Sequence, residues 1–279
     1  MRKNLLAATA ATLLLSTAAF AADMPIAPPP AYAPPPPADF GGWYLRGDIG
    51  FSNQNVKNVA INDPVLLAGV VPGSLTQTSG FSTGGIFDVG VGYQFNNWFR
   101  VDVTGQYRGK ASFQGQDLFM SPNGGGTFVH GVDNYTANKS EAVFLANAYV
   151  DLGTWWCITP YIGAGVGTSR VTISNFTDQG LNPNGPSVAY AQAASKWNFA
   201  WAAHAGLAYK VNPNLTVELG YSYTDLGSGV TGQSAAYDSA LTPYVFTFKN
   251  ITSNDVKLGV RWSLEPTPMY APRPLITKG

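Results

Sequence analysis

The chain has 279 residues, 16 basic and 16 acidic side chains, and only 11% charged residues, against roughly 25% in an ordinary soluble domain. Gly (31), Tyr (14) and Phe (15) are abundant, and beyond the N-terminus no apolar run reaches the roughly 18 residues that a membrane-spanning helix needs. These features argue against a helical membrane protein and give no reason to expect a nucleic-acid partner. A sandwich, a soluble barrel or a membrane barrel is left.

At the N-terminus, Arg2 and Lys3 precede an apolar stretch from Leu5 to Phe20, followed by Ala19-Phe20-Ala21. A short positive region, an apolar core and an A-x-A site make a secretory signal peptide over residues 1–21. No Cys follows the site, which argues against a lipoprotein. Loss of Arg2 and Lys3 leaves 14 basic residues against 16 acidic. The single cysteine, Cys157, cannot form an intramolecular disulfide. Residues 22–41 hold the run PIAPPPAYAPPPP, which favours an extended periplasmic linker. A second proline-rich tail is expected over residues 265–279.

Between the tails, residues 42–264 repeat one pattern: apolar side chains alternate with polar ones, as in a strand with two different faces. In chain order, Trp43, Leu45, Ile49 and Phe51 oppose Tyr44, Arg46 and Asp48. Phe87, Val89, Val91, Tyr93 and Phe95 oppose Asp88 and Gln94. Phe99, Val101, Val103 and Tyr107 oppose Arg100, Asp102, Thr104 and Gln106. Phe144 and Val150 oppose Asn147, Tyr149 and Asp151. A fifth strand, Thr159 to about Val171, places Gly163, Gly165 and Gly167 on one face. Phe199, Trp201, Leu207 and Tyr209 oppose Asn198 and His204; Leu215, Val217, Leu219 and Tyr221 oppose Thr216, Glu218 and Ser222. Last, Val256, Leu258, Val260 and Trp262 oppose Asp255, Lys257 and Arg261. The pattern predicts eight strands of roughly ten residues, the length of a tilted bilayer crossing.

Connections alternate as well. Asn96-Asn97, Gly153 to Ile158 and Val211 to Asn214 are short; the other four are expected to be loops of roughly twenty to thirty residues. Short periplasmic turns and long outer loops are the habit of outer-membrane barrels. On that orientation Trp43, Phe95, Trp98, Phe99, Trp155, Trp156, Tyr161, Tyr209 and Trp262 collect into one periplasmic aromatic girdle, as rings favour the membrane interface. A soluble sandwich gives no reason for that clustering.

FRVDVTGQYR (Phe99–Arg108), LANAYVDLGTWWCITPYIGAGVG (Leu145–Gly167) and LTVELGYSYTDLG (Leu215–Gly227) resemble the small outer-membrane immunogenic barrels of the Brucella and Rhizobium type, within the OmpA/OmpX-like superfamily. The resemblance covers about Trp43 to Leu264. It implies an all-β, eight-stranded antiparallel up-and-down transmembrane barrel in a Gram-negative outer membrane, without a shared enzymatic activity. Such barrels usually end on an aromatic residue; here Trp262 is followed by a proline-rich tail.

The inward set contains Arg46, Asp48, Asp88, Arg100, Asp102, Asp151, His204, Glu218, Lys257 and Arg261. Its mixed signs suit a paired, structural lumen network, because buried charges need partners and eight strands leave room only for side chains. His204 and His130 show no triad spacing, no nucleophile elbow or metal-ligand cluster is visible, and the three glycines lack the helix and Lys of a phosphate loop. No cofactor and no catalytic residue is expected. The function expected is a non-enzymatic surface protein serving envelope integrity and host or ligand contact through four long loops; the alternative is a narrow, low-conductance pore. Partners expected are outer-membrane lipid and lipopolysaccharide, the assembly machinery during biogenesis, and a host surface or small ligand.

Overall fold

A computed structural model describes residues 41–62, 68–182, 185–237 and 244–264. The expected signal peptide and both expected proline-rich segments lie outside the described residues.

Among the described residues eleven antiparallel strands form one sheet: β1 (Gly42–Ile61), β2 (Thr76–Phe81), β3 (Gly84–Gln94), β4 (Phe99–Pro122), β5 (Phe128–Asp151), β6 (Ile158–Asn182), β7 (Gly185–Ala191), β8 (Ala194–Lys210), β9 (Leu215–Val230), β10 (Ser234–Ala236) and β11 (Phe246–Ser263). Eight of them close a ring in the order β1-β3-β4-β5-β6-β8-β9-β11, sealed where Tyr44 pairs Ser263 and Ile61 pairs Phe246. The three short strands extend it at one end: β2 pairs the outer half of β4, β7 the outer half of β6, and β10 adds to β7.

Two of the turns share one device. Asn96 Oδ1 accepts hydrogen bonds from the backbone N–H of Trp98 and Phe99 (3.0 and 2.7 Å), and Asn212 Oδ1 accepts from Asn214 and Leu215 (3.0 and 2.8 Å). Such Asx turns supply the backbone acceptor that the chain reversal removes. The third turn uses Gly153 together with Trp156 and Cys157, all at positive φ.

At the opposite end the expected long loops are largely strand. β4 and β5 have 24 residues each and β6 has 25, and only residues 123–127 separate β4 from β5. The alternation used to place the strands stops early for a physical reason. β-Bulges or register irregularities fall between Arg108 and Ala111 on β4, beside Asn175 on β6, and between Phe248 and Ile251 on β11. One extra residue shifts the phase of every side chain that follows.

Polarity inverts at the phase shift on β4, and on β6 between Ser169 and Val171, before its irregularity. In the turn-proximal half the exterior is apolar (Leu45, Val89, Val103, Leu258) and the interior polar. In the distal half the interior is apolar: Phe113, Tyr135, Val171, Ile173, Phe176, Phe246, Phe248 and Ile251 are buried in one core. The exterior there becomes Ser112, Gln114 and Gln116 on β4 and Thr172 and Ser174 on β6. A change of solvent along the outside of a barrel, from lipid to water, would produce such an inversion, because each half buries what its own surroundings reject.

Candidate functional site

The lumen is built in layers. In the lowest, Arg46 bridges Asp48 and Asp102 (both 3.0 Å) and donates to the Tyr149 hydroxyl (3.1 Å). Arg100 pairs Asp151 (3.3 Å) and lies between the rings of Tyr149 and Tyr161, 4.3 and 4.8 Å from their centroids. Glu218 receives Arg46, Arg100 and Arg261 at 3.6, 3.5 and 3.3 Å, and Lys257 pairs Asp88 (3.3 Å). The structure thus brings all ten expected lumen residues into the interior, with His204 among them.

His204 stands between Ser222 and Asn147. The Asn147 amide donates to Asp102 (2.8 Å), which turns its oxygen toward His204 Nε2 (3.1 Å); Nδ1 then accepts from the Ser222 hydroxyl (2.8 Å). The order nucleophile, base, orienting amide is present, but a reaction also needs room for a substrate and donors for its oxyanion. The cavity lined by Arg46, Tyr149, Tyr161, His204, Ser222 and Lys257 has about 10 Å³, space for about one water. This arrangement orders side chains; it does not admit a substrate.

A second layer lies above the first, and of it the strand alternation placed only Gln106 and Asp255 inward. Arg108 makes two contacts to Asp255 (3.0 and 2.6 Å) and donates to Gln106 and Ser253. Lys139 pairs Glu141 and Gln54 beneath the Phe81 ring. Arg108 continues the inward series 100, 102, 104, 106 and was within reach of that signal. Glu141, the first residue of the expected fourth strand and in phase with Asn147, Tyr149 and Asp151, was within its reach too; Lys139 lies in the expected loop and was not. Small residues make room for the lowest layer: a Cβ at Gly163 or Gly165 would collide with Tyr149 or Asn147.

The apolar core caps these layers. Phe113 packs edge-on to Phe248 at 4.8 Å, and Phe176 lies 4.3 Å from Phe246. The gap between β1 and β2 is closed by the Gln77 amide, which accepts from Val59 N–H (2.8 Å) and donates to Val59 O (2.9 Å) and Asp117. Beyond the core, burial pushes the Asp133 carboxyl up to about 6, with the Asp117 charge adding to it, and the Asp178 carboxyl up to about 7, with Asp133 and Asp117 adding.

Of the aromatic girdle residues, Trp43, Phe95, Trp98, Trp155, Trp156, Tyr209 and Trp262 are exposed and Phe99 is half-buried, all at the turn end. Tyr161 is a correction. It points into the lumen, 5% exposed, against Tyr149 and Arg100, because it occupies the inward phase of Gly163 and Gly165. Exposed Tyr107 and Trp197, which the girdle did not include, lie near the other edge of the apolar band.

The far end presents a different surface. Leu118, Val132 and Leu181 form one cross-strand row over β4, β5 and β6, continued by Pro186 on β7. With Met120 and Phe128, which share its face, the row forms an apolar band in which Leu118, Met120, Phe128 and Leu181 are 36–58% exposed. A polar belt that includes Gln114, Gln116, Asn134 and Gln179 separates it from the apolar half of the barrel.

The chain is similar to an uncharacterized protein of Brucella suis, 32% identical over 76% of this chain and 78% of the relative. It is also similar to the outer membrane protein PagN of Salmonella typhimurium, 31% identical over 80% and 90%. A Rickettsia felis protein named as a candidate adhesin is 26% identical over 81% and 85%. The chain belongs to the family of the outer membrane protein beta-barrel domain, whose model matches residues 7–263.

Proposed function

We propose that this outer-membrane barrel is a closed, non-enzymatic anchor that carries a rigid contact surface away from the cell, reached after cleavage of its signal peptide. The observation that carries the reading is the length of β4, β5 and β6, 24, 24 and 25 residues. At about 3.3 Å per residue and a tilt near 40°, such strands rise about 60 Å, more than twice the ~25 Å apolar band of these barrels. About half of each strand therefore stands in water, and the end with the short turns faces the periplasm.

What stands there is ordered sheet, with its own core and an exposed apolar row. Contiguous exposed apolar surface on a water-facing element marks a contact site. The Leu118–Val132–Leu181 row is the surface offered to a host cell, and the adhesin name of a relative points the same way. A pore finds no such support: the cavity of about 10 Å³ admits no solute, and the aromatic core closes the distal half.

The double substitution Leu118→Gln and Leu181→Gln tests this. Both side chains are about half exposed, so the heat-sensitive gel mobility of the folded barrel is expected to stay, while binding of expressing bacteria to cultured host cells falls severalfold. Unchanged binding, or large steady steps of single-channel conductance, would contradict the reading.

A further inference from the structure

Charge is sorted on this barrel. Among the described residues no Asp or Glu is exposed, and every exposed Lys or Arg is either Lys210, beside a short turn, or one of four toward the other end: Lys57, Lys110, Arg170 and Lys249. None of the four forms an ion pair with a described residue.

All four sit where polarity inverts. Lys110 lies inside the irregularity between Arg108 and Ala111, and Lys249 inside that between Phe248 and Ile251. Arg170 lies between inward Ser169 and inward Val171, where the interior of β6 passes from polar to the apolar core. Lys57 lies between buried Gln54 and buried Val59 on β1. Asn58 pairs Lys249, which puts Lys57 and Lys249 at neighbouring strand positions, and Arg170 stands in register opposite Trp197, whose ring is exposed. An aromatic ring and a cation with a long aliphatic stem are the groups that suit a lipid–water boundary.

Their positions around the ring select the partner. The cations occupy β11 and β1, then β4, then β6, each group separated from the next by at least one strand of the closed ring. A docked protein covers one side of such a cylinder. A lipid annulus meets all sides, and its headgroup phosphates supply negative charge that the exterior, half-buried Asp225 apart, does not carry.

We propose that Lys57, Lys110, Arg170 and Lys249 form a belt that binds phosphate groups of lipid headgroups in the outer leaflet. Charge-assisted hydrogen bonds from ammonium and guanidinium to phosphate are the interaction, and the attraction of basic groups near an anionic leaflet adds to it. The proposal rests on the membrane placement given above but not on host contact, which is measured separately.

The test uses the full chain folded in neutral detergent micelles, with lipid A carrying both phosphates as the probe and its dephosphorylated form as the comparison. The parent is expected to bind the phosphorylated lipid at least tenfold more tightly. The variant K57Q/K110Q/R170Q/K249Q is expected to lose that preference, with unchanged circular dichroism and heat-sensitive mobility. The pair K57Q/K249Q, which removes one neighbouring couple, loses part of it. Lys210→Gln, at the other end, leaves it unchanged, and millimolar inorganic phosphate does not compete. Equal binding of the two lipids by the parent would overturn the proposal. So would a belt variant that binds like the parent, a loss from Lys210→Gln as large as from a belt position, or full competition by inorganic phosphate.

Discussion

Arg108 is 1% exposed and places both of its terminal nitrogens on Asp255. An ion pair in this setting contributes little beyond an apolar pair of equal volume, yet removing one member strands a charge, at a cost of about 3–5 kcal/mol. Arg108→Met is therefore expected to destabilise the barrel by that amount in urea titrations in micelles, and adding Asp255→Leu to recover most of it. A double variant as unstable as the single one would show that the pair does more than neutralise charge. Asp133 and Asp178 behave differently. Their folded carboxyls are raised to about 6 and about 7, above the ordinary carboxylate value near 4. The folded sheet then holds protons that the unfolded chain has released. The associated stability is complete below about pH 4 and is lost as pH rises through about 6 to 7. Asp133→Asn with Asp178→Asn is expected to slow proteolytic nicking of the distal sheet relative to the parent at pH 7.5 and to change little at pH 5. An equal effect at both values would contradict the burial argument.

At the scale of elements, the bulges decide how much of each strand could be read from sequence. From Phe99 to Tyr107 apolar and polar residues alternate without a break, and inward Arg100, Asp102, Thr104 and Gln106 follow directly. Past Lys110 the apolar residues Ala111 and Phe113 face inward, so both the phase and the meaning of the pattern change at one point. A reading that assigns apolar residues to lipid must stop there, and the distal halves of β4, β5, β6 and β11 then resemble polar loops. Tyr161 failed for a related reason: its chemistry suits an interface, and only its phase with the inward glycines placed it in the lumen. Asn175 and Asn250 take the left-handed conformation at φ 52°, which Asn and Gly tolerate and β-branched residues do not. Asn250→Gly is expected to leave stability within about 0.5 kcal/mol, whereas Asn250→Val costs about 1–2 kcal/mol. Equal effects of the two, measured by the same urea titration, would remove the bulge from the account.

Across the whole molecule one closed sheet meets two solvents. In lipid it wears apolar side chains outward and stores paired charge inside; in water it reverses both. The lower half needs its ionic lumen because a barrel interior that excludes lipid and nearly all water must satisfy its own polar groups. The upper half has an aromatic core for the reason any soluble domain has one. In the function proposed above, the lower half fixes the protein in the outer membrane and the upper half holds its outer face at a distance. The most direct test replaces Gln116–Asn134 by Asn-Gly, joining Gly115 to Tyr135, which pair across β4 and β5. Phe113 and Tyr135 stay in the core, while Leu118, Met120, Phe128 and Val132 are removed. Whole-cell binding to host cells is the measurement. The account predicts a folded, surface-exposed barrel with host contact reduced to the level of cells lacking the protein; full contact by the shortened barrel would contradict it.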